Sequence, residues 1–209
     1  AIQANLAAAS QALLTTPGAT KFYRSAGAWA QQQQRLRIQD GGSLEYLPQE
    51  NILFPGAKVK MLTRVDLHGD ARLALWETQC LGRPVIDEAF DEGVLDSRLE
   101  IWRDGRPLLL ERLRVEGASR LYPSTLAGQP VSATAIFSAA TVEHLQYARA
   151  LPLAVGEGRL GMTLVEDLLL IRYLGPSTEQ ANRCFTRIWS DLRQSLLGRQ
   201  ASAPRIWNT

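Results

Sequence analysis

The feature that most constrains this chain is a succession of short runs, from residue 1 to about 138, in which apolar and polar residues alternate and turn-forming residues end each run. Alternation by twos is the pattern of a strand with one buried face. The clearest case is Ser97-Arg-Leu-Glu-Ile-Trp-Arg103, followed by the favoured two-residue turn Asp104-Gly105 and the returning run Arg106–Val115, which together predict a hairpin. Residues 29–38 alternate loosely before Asp40-Gly-Gly42, and Leu44-Glu-Tyr-Leu47 stops at Pro48. Val59–Leu67 leads through His68-Gly-Asp70 into Arg72–Leu81, which reads as another hairpin. The chain opens without an initiator Met and already inside a strand, Ile2-Gln-Ala-Asn-Leu6, so an upstream segment is expected to be missing.

Two helices break the pattern. Residues 139–150 carry apolar residues at Val142, Leu145 and Ala148 and end before Pro152. In residues 177–197, Ala181, Cys184, Phe185, Ile188, Trp189, Leu192 and Leu196 recur at three and four residues. Ser177 is placed to cap that helix while Gln180 reaches back, and Gly198 stops it. Its apolar stripe is expected to pack on strands at 159–165 and 168–174. The tail Ala203-Pro-Arg-Ile-Trp-Asn-Thr209 is expected to dock through Ile206 and Trp207, since two large apolar groups left in water forgo their burial.

At 209 residues the chain is long enough for one sizeable core, so one domain spanning 1–209 is expected. Its 23 Lys and Arg against 21 Asp and Glu are scattered, with no stripe suited to a phosphate backbone, which argues against nucleic acid as a partner. The two cysteines, Cys80 and Cys184, sit far apart in apolar contexts and read as buried free thiols in a reducing, cytoplasmic setting. No run approaches the ~20 apolar residues of a membrane span, and the first residues lack the order of a signal peptide.

A search for chemistry finds little. His68 falls in a turn and His144 on a helix beside Glu143, neither with a ligand partner at metal spacing. There is no Gly-x-Ser-x-Gly turn, and neither cysteine has the local signature of a reactive thiol. Gly156-Glu-Gly-Arg-Leu-Gly161 matches a dinucleotide fingerprint only superficially, because strand residues follow it where a helix should start; it reads as a hairpin turn. No catalytic residue is assigned.

What remains is two carboxylates in the most apolar runs: Glu77 in Leu73–Leu81 and Glu111 in Pro107–Val115. Leu75 and Gln79 share a face with Glu77, and Leu109 and Leu113 share one with Glu111, while Arg112 points the other way. An acid on an apolar face costs several kcal/mol unless it is paired, protonated or wet. Three arrangements fit: exposure to solvent, a buried pair with an arginine of another strand, or the lining of an internal wet passage where cations touch oxygen ligands in transit.

Three stretches resemble one family: Thr15-Thr-Pro-Gly-Ala-Thr-Lys-Phe-Tyr-Arg-Ser25, Leu44-Glu-Tyr-Leu-Pro-Gln-Glu-Asn-Ile-Leu-Phe-Pro-Gly-Ala57 and Trp76-Glu-Thr-Gln-Cys-Leu-Gly-Arg-Pro84. Together with the Asp104–Arg112 hairpin and the closing Pro204–Thr209, they are similar to the urease accessory proteins UreD, called UreH in some bacteria. The family's N-terminal glycine-rich stretch ending in Gly-Gly-Asp has no counterpart here. The resemblance implies a mainly β, β-helix-like strand scaffold with two helices and no catalysis of its own. It implies a nickel-delivery chaperone that binds apo-urease and UreF, with the GTPase UreG bringing the metal. It further implies an internal tunnel, with Glu77, Glu111 and Thr20 at its polar positions, and nickel held only in passing rather than as a bound cofactor. A purely structural adaptor that reshapes urease without conducting nickel is the alternative.

Overall fold

The computed structural model describes residues 1–208. Its regular structure is mainly strand, and the first hundred residues wind as the coils of a β-helix. β1 (Ile2–Leu6) belongs to one sheet, and β2 (Gln11–Leu14) and β3 (Thr20–Phe22) to the other. The next coil repeats this with β4 (Ala30–Ile38), β5 (Ser43–Tyr46) and β6 (Asn51–Leu53). A third follows with β7 (Lys58–Leu67) and β8 (Arg72–Arg83), and a short β9 (Glu88–Ala89) pairs back onto β8. Successive coils stack in parallel: β1 on β4, β4 on β7 and β7 on β10 (Val94–Arg103) in one sheet, β2 on β5 and β5 on β8 in the other.

Antiparallel strands then extend both sheets. β11 (Arg106–Glu116) returns along β10 through the predicted Asp104-Gly105 turn, with both turn residues at positive φ, as a tight hairpin requires. On the second sheet, β12 (Val131–Phe137) pairs with β8, β14 (Leu168–Gly175) with β12, and β13 (Arg159–Val165) with β14. The five-stranded sheet thus has the order β1-β4-β7-β10-β11, and the nine-stranded one has the main path β13-β14-β12-β8-β5-β2. Both are mixed and open rather than closed into a barrel, so the mainly β, β-helix-like reading holds.

The 59–67/72–81 hairpin does not form. β7 and β8 lie in different sheets, and His68-Gly-Asp70 is a corner between them. Turn residues between two alternating runs serve either geometry, and the choice falls to the parallel partners each strand finds on neighbouring coils. The corners tie to one another: Asp40 Oδ1 accepts from the Asp70 N–H at 2.8 Å and Asp104 Oδ1 from the Gly69 N–H at 3.2 Å. Gly156–Gly161 is also not a hairpin turn. It leads into β13, and the β13–β14 turn is Glu166-Asp167.

Both predicted helices exist, as α1 (Val142–Ala150) and α2 (Thr178–Leu197). Ser177 Oγ accepts from the Gln180 N–H, and Gly198 ends α2 in the left-handed region. The Gln180 side chain does not reach back; its Oε1 accepts from the Tyr173 hydroxyl at 3.1 Å. At α1, His144 takes the reciprocal capping role, its Nδ1 accepting from the Thr141 N–H at 3.1 Å, which gives this histidine a local structural task. The α2 stripe seats chiefly on β8 and β12 rather than on the 159–174 strands, and α1 covers β13. Trp207 docks as expected, its ring 5.5 Å from those of both Trp76 and Trp189, while Thr209 lies outside the described residues. Cys80 and Cys184 are free and buried, and burial pushes the Cys80 thiol up to about 11.

Candidate functional site

The two sheets face each other, and their inward residues should form one apolar layer. They form two. One cluster takes Leu36, Val65, Leu99, Leu73, Leu75, Ile136 and Leu170; the other takes Val59, Met61, Leu95, Val115 and Leu81. Between them each long strand spends an inward position on a polar residue: Gln34 on β4, Thr63 on β7, Ser97 on β10 and Glu111 on β11 from the five-stranded sheet. From the other sheet come Glu77 and Gln79 on β8, Ser132 and Thr134 on β12, and Arg172 on β14.

Strand register brings most of these residues to one level, with Ser97, Gln79 and Ser132 one inward position away. In the nine-stranded sheet Glu77 pairs with Thr134 and Thr134 with Arg172. In the five-stranded sheet Gln34 pairs with Thr63, Thr63 with Leu99, and Leu99 with Glu111. A polar seam therefore crosses the sandwich perpendicular to its strands. Toward β11 and β14 it opens into a cleft of about 300 Å³ lined by Glu77, Gln79, Ser97, Glu111, Thr134 and Arg172, among others.

Glu77 is the inner carboxylate. Thr63 Oγ1 donates to its Oε1, and the same hydroxyl lies 2.9 Å from Gln34 Oε1; Gln34 Nε2 in turn donates to the Tyr46 hydroxyl at 3.4 Å. One hydroxyl proton cannot serve two acceptors. Two arrangements satisfy both: the Gln34 amide turns so that its Nε2 donates to Thr63 and its Oε1 accepts from Tyr46, leaving Thr63 to donate to an ionised Glu77, or a protonated Glu77 donates to Thr63, which donates to Gln34. Desolvation pushes the Glu77 carboxyl up to about 7, the Thr63 hydrogen bond opposes that rise, and the charge of Glu111 adds to it. Among the described residues no arginine pairs with Glu77. Close by, Gln79 is 4% exposed and its Oε1 has no hydrogen-bond partner among the described residues.

Glu111 stands at the mouth, where Arg172 Nη2 donates to its Oε1. This pair is partly open to water, with side-chain exposures of 29% for Glu111 and 45% for Arg172. Arg112, on the opposite face of β11, is held by Asp96 through two bonds of 2.8 Å. The structure thus brings Glu77 and Glu111 into one cleft. It does not bring Thr20 there: Thr20 begins β3 opposite Asn51, is exposed, and does not line the cleft.

The buried acid paired with arginine also exists, at a residue the sequence reading passed over. Glu45 is 3% exposed and points to the helix side of its sheet. Its carboxylate accepts from Arg193 Nε at 2.9 Å and Nη2 at 2.6 Å, and from Trp189 Nε1 at 2.6 Å. Fully hydrogen-bonded in this way, it fastens α2 to β5. The missed members of the seam carried a readable sign, a polar residue on the inward beat of an apolar alternation. Thr63 interrupts Val59, Met61, Val65 and Leu67 in this way, and Ser97 interrupts Leu95, Leu99 and Ile101.

Comparison with known proteins places the chain in a family. The family model for the UreD urease accessory protein matches residues 1–208. The chain belongs to the UreD family. It is 48% identical over 209 residues to the urease accessory protein UreD of Alcanivorax borkumensis, covering 98% of this chain and 71% of that protein. The UreD proteins of an Azoarcus species and of Escherichia coli are 45% and 39% identical, covering 100% and 96% of this chain and 74% and 73% of theirs. Membership in the UreD family gives the role of a urease accessory protein, and the seam is the feature of this UreD-family fold left to explain. Among the described residues there is no cluster of three or more His, Cys, Asp or Glu placed to hold a metal, and no helix long and apolar enough to cross a membrane.

Proposed function

We propose that this protein is a non-enzymatic cytoplasmic scaffold that binds apo-urease and UreF, works with UreG, and passes nickel along the seam between its two sheets. The observation that carries this reading is the alignment of polar residues into one level between two apolar clusters, with Glu77 and Glu111 facing one open cleft. A dry core held by arginine pairs would favour a purely structural adaptor, but Glu77 has no arginine and the Glu111 pair sits at a wet mouth. The groups here that could ligate a metal, on Glu77, Gln79, Ser97, Glu111, Ser132 and Thr134, are all oxygens. Nickel prefers imidazole and thiolate to such a set, so its binding is weak and exchange fast, as transit requires. Thr20 lies away from this cleft and could meet the metal only on another part of its route.

The test is urease activation in cells carrying Glu111→Leu or Glu77→Gln, alongside co-purification of the variant with UreF. Activation should fall while the complex persists. Unchanged activation with both variants would leave the adaptor, and would make the seam a structural accident.

A further inference from the structure

The cleft already holds a cation, and it belongs to the protein. We infer that Arg172 is the internal counter-ion of the carboxylate cleft, a guanidinium that occupies Glu111 until a divalent cation displaces it and so limits how tightly that cation is held. This rests on the reading that cations enter the cleft.

Four observations place Arg172 in this role. Its guanidinium donates to Glu111, the outer of the two carboxylates, so an ion arriving from solvent meets this pair first. The other arginine in the lining, Arg112, is committed to Asp96 on the outer face of its sheet, which leaves Arg172 as the cleft's own positive charge. Behind the pair wait Glu77, without a cationic partner, and the 96%-buried Gln79 with its free Oε1, so the oxygens an ion would reach next are in place. Finally, Arg172 has somewhere to go. Its cross-strand neighbour on edge strand β13 is Gly161, and a side chain built there meets nothing within 4 Å.

A half-exposed ion pair of this kind is weak, so the guanidinium can leave at small cost. While seated it cancels the Glu111 charge, and a divalent ion must compete with it. Displacement moves one guanidinium into the Gly161 space and leaves two carboxylates and an amide oxygen to the ion. Release reverses the exchange, which keeps the ion from being trapped.

The experiment is nickel titration of the full-length protein against a colorimetric chelator at fixed pH and ionic strength. Arg172→Gln should bind nickel about fivefold more tightly, the loss of a weak competing pair, while Arg172→Lys stays near wild type. Gly161→Val, which fills the free space without requiring an unusual backbone, should slow nickel uptake in stopped flow and weaken binding. Circular dichroism melts check that each variant is folded. If Arg172→Gln binds no tighter while Glu77→Gln and Glu111→Gln lose nickel, the counter-ion role is wrong and the conduit reading stands. If neither the wild type nor Arg172→Gln binds nickel and Glu111→Gln activates urease normally, both fall.

Discussion

A carboxylate kept for function should cost stability, and Glu77→Gln measures that cost. The folded protein holds the Glu77 proton more tightly than the unfolded chain, with a midpoint raised from 4.5 to about 7. Its contribution to stability is therefore fully present below pH 4.5 and is lost as pH rises through about 7. The shift corresponds to at most about 3 kcal/mol, and because the cleft is wet at its mouth the realised cost is set at about 1–3 kcal/mol. Glutamine keeps the oxygen that accepts from Thr63 and cannot ionise. Urea unfolding of wild type and variant between pH 4.5 and 8.5 should show no difference at the acid end and a more stable variant at pH 8, by about 1–3 kcal/mol, or several degrees in Tm. Urease activation should fall in the same variant, a trade of activity for stability. A pH-independent difference, or a variant less stable than wild type at pH 8, would refute the desolvated, unpaired carboxyl.

Glu45 predicts the opposite. Glu45→Ala strands the Arg193 guanidinium and the Trp189 N–H, and chemical denaturation should show a loss of about 3–5 kcal/mol, whereas Glu45→Leu with Arg193→Met should recover most of it. Two glycines at positive φ should also separate in thermal melts. Gly105→Ala, in open space at a hairpin turn, should cost about 1–2 kcal/mol, and Gly82→Ala, whose added methyl overlaps the Glu88 carbonyl oxygen, about 3 kcal/mol or more; equal costs would mean that β9 yields freely.

The local devices were legible because they depend on neighbours in sequence. The Asp104-Gly105 hairpin, the Ser177 cap, the Gly198 stop and the apolar stripe of α2 were all read from residues a few positions apart, and the structure repeats them. The inward faces of β8 and β11 were legible too, since period-two alternation places Glu77 with the leucines at 73 and 75 and Glu111 with Leu109. The assignment of His68-Gly-Asp70 to a hairpin failed for the complementary reason. Whether a turn folds a strand back or hands it to a second sheet is decided by partners on other coils, dozens of residues away.

The same division separates the two acids. By itself the sequence determined that Glu77 and Glu111 share a strand face with leucines, because a strand's alternation is a local property of its backbone, and it left that face open to solvent or to the interior. It could not rank an acid that ends in a dry arginine pair above one that ends in a wet cleft, and it passed over Glu45, the acid that is paired in a dry core with an arginine 148 positions away. Only the tertiary structure decided these outcomes. Register between strands sets the level of each side chain, and it is register that aligns Gln34, Thr63 and Glu111 in one sheet, and Glu77, Thr134 and Arg172 in the other, into one seam.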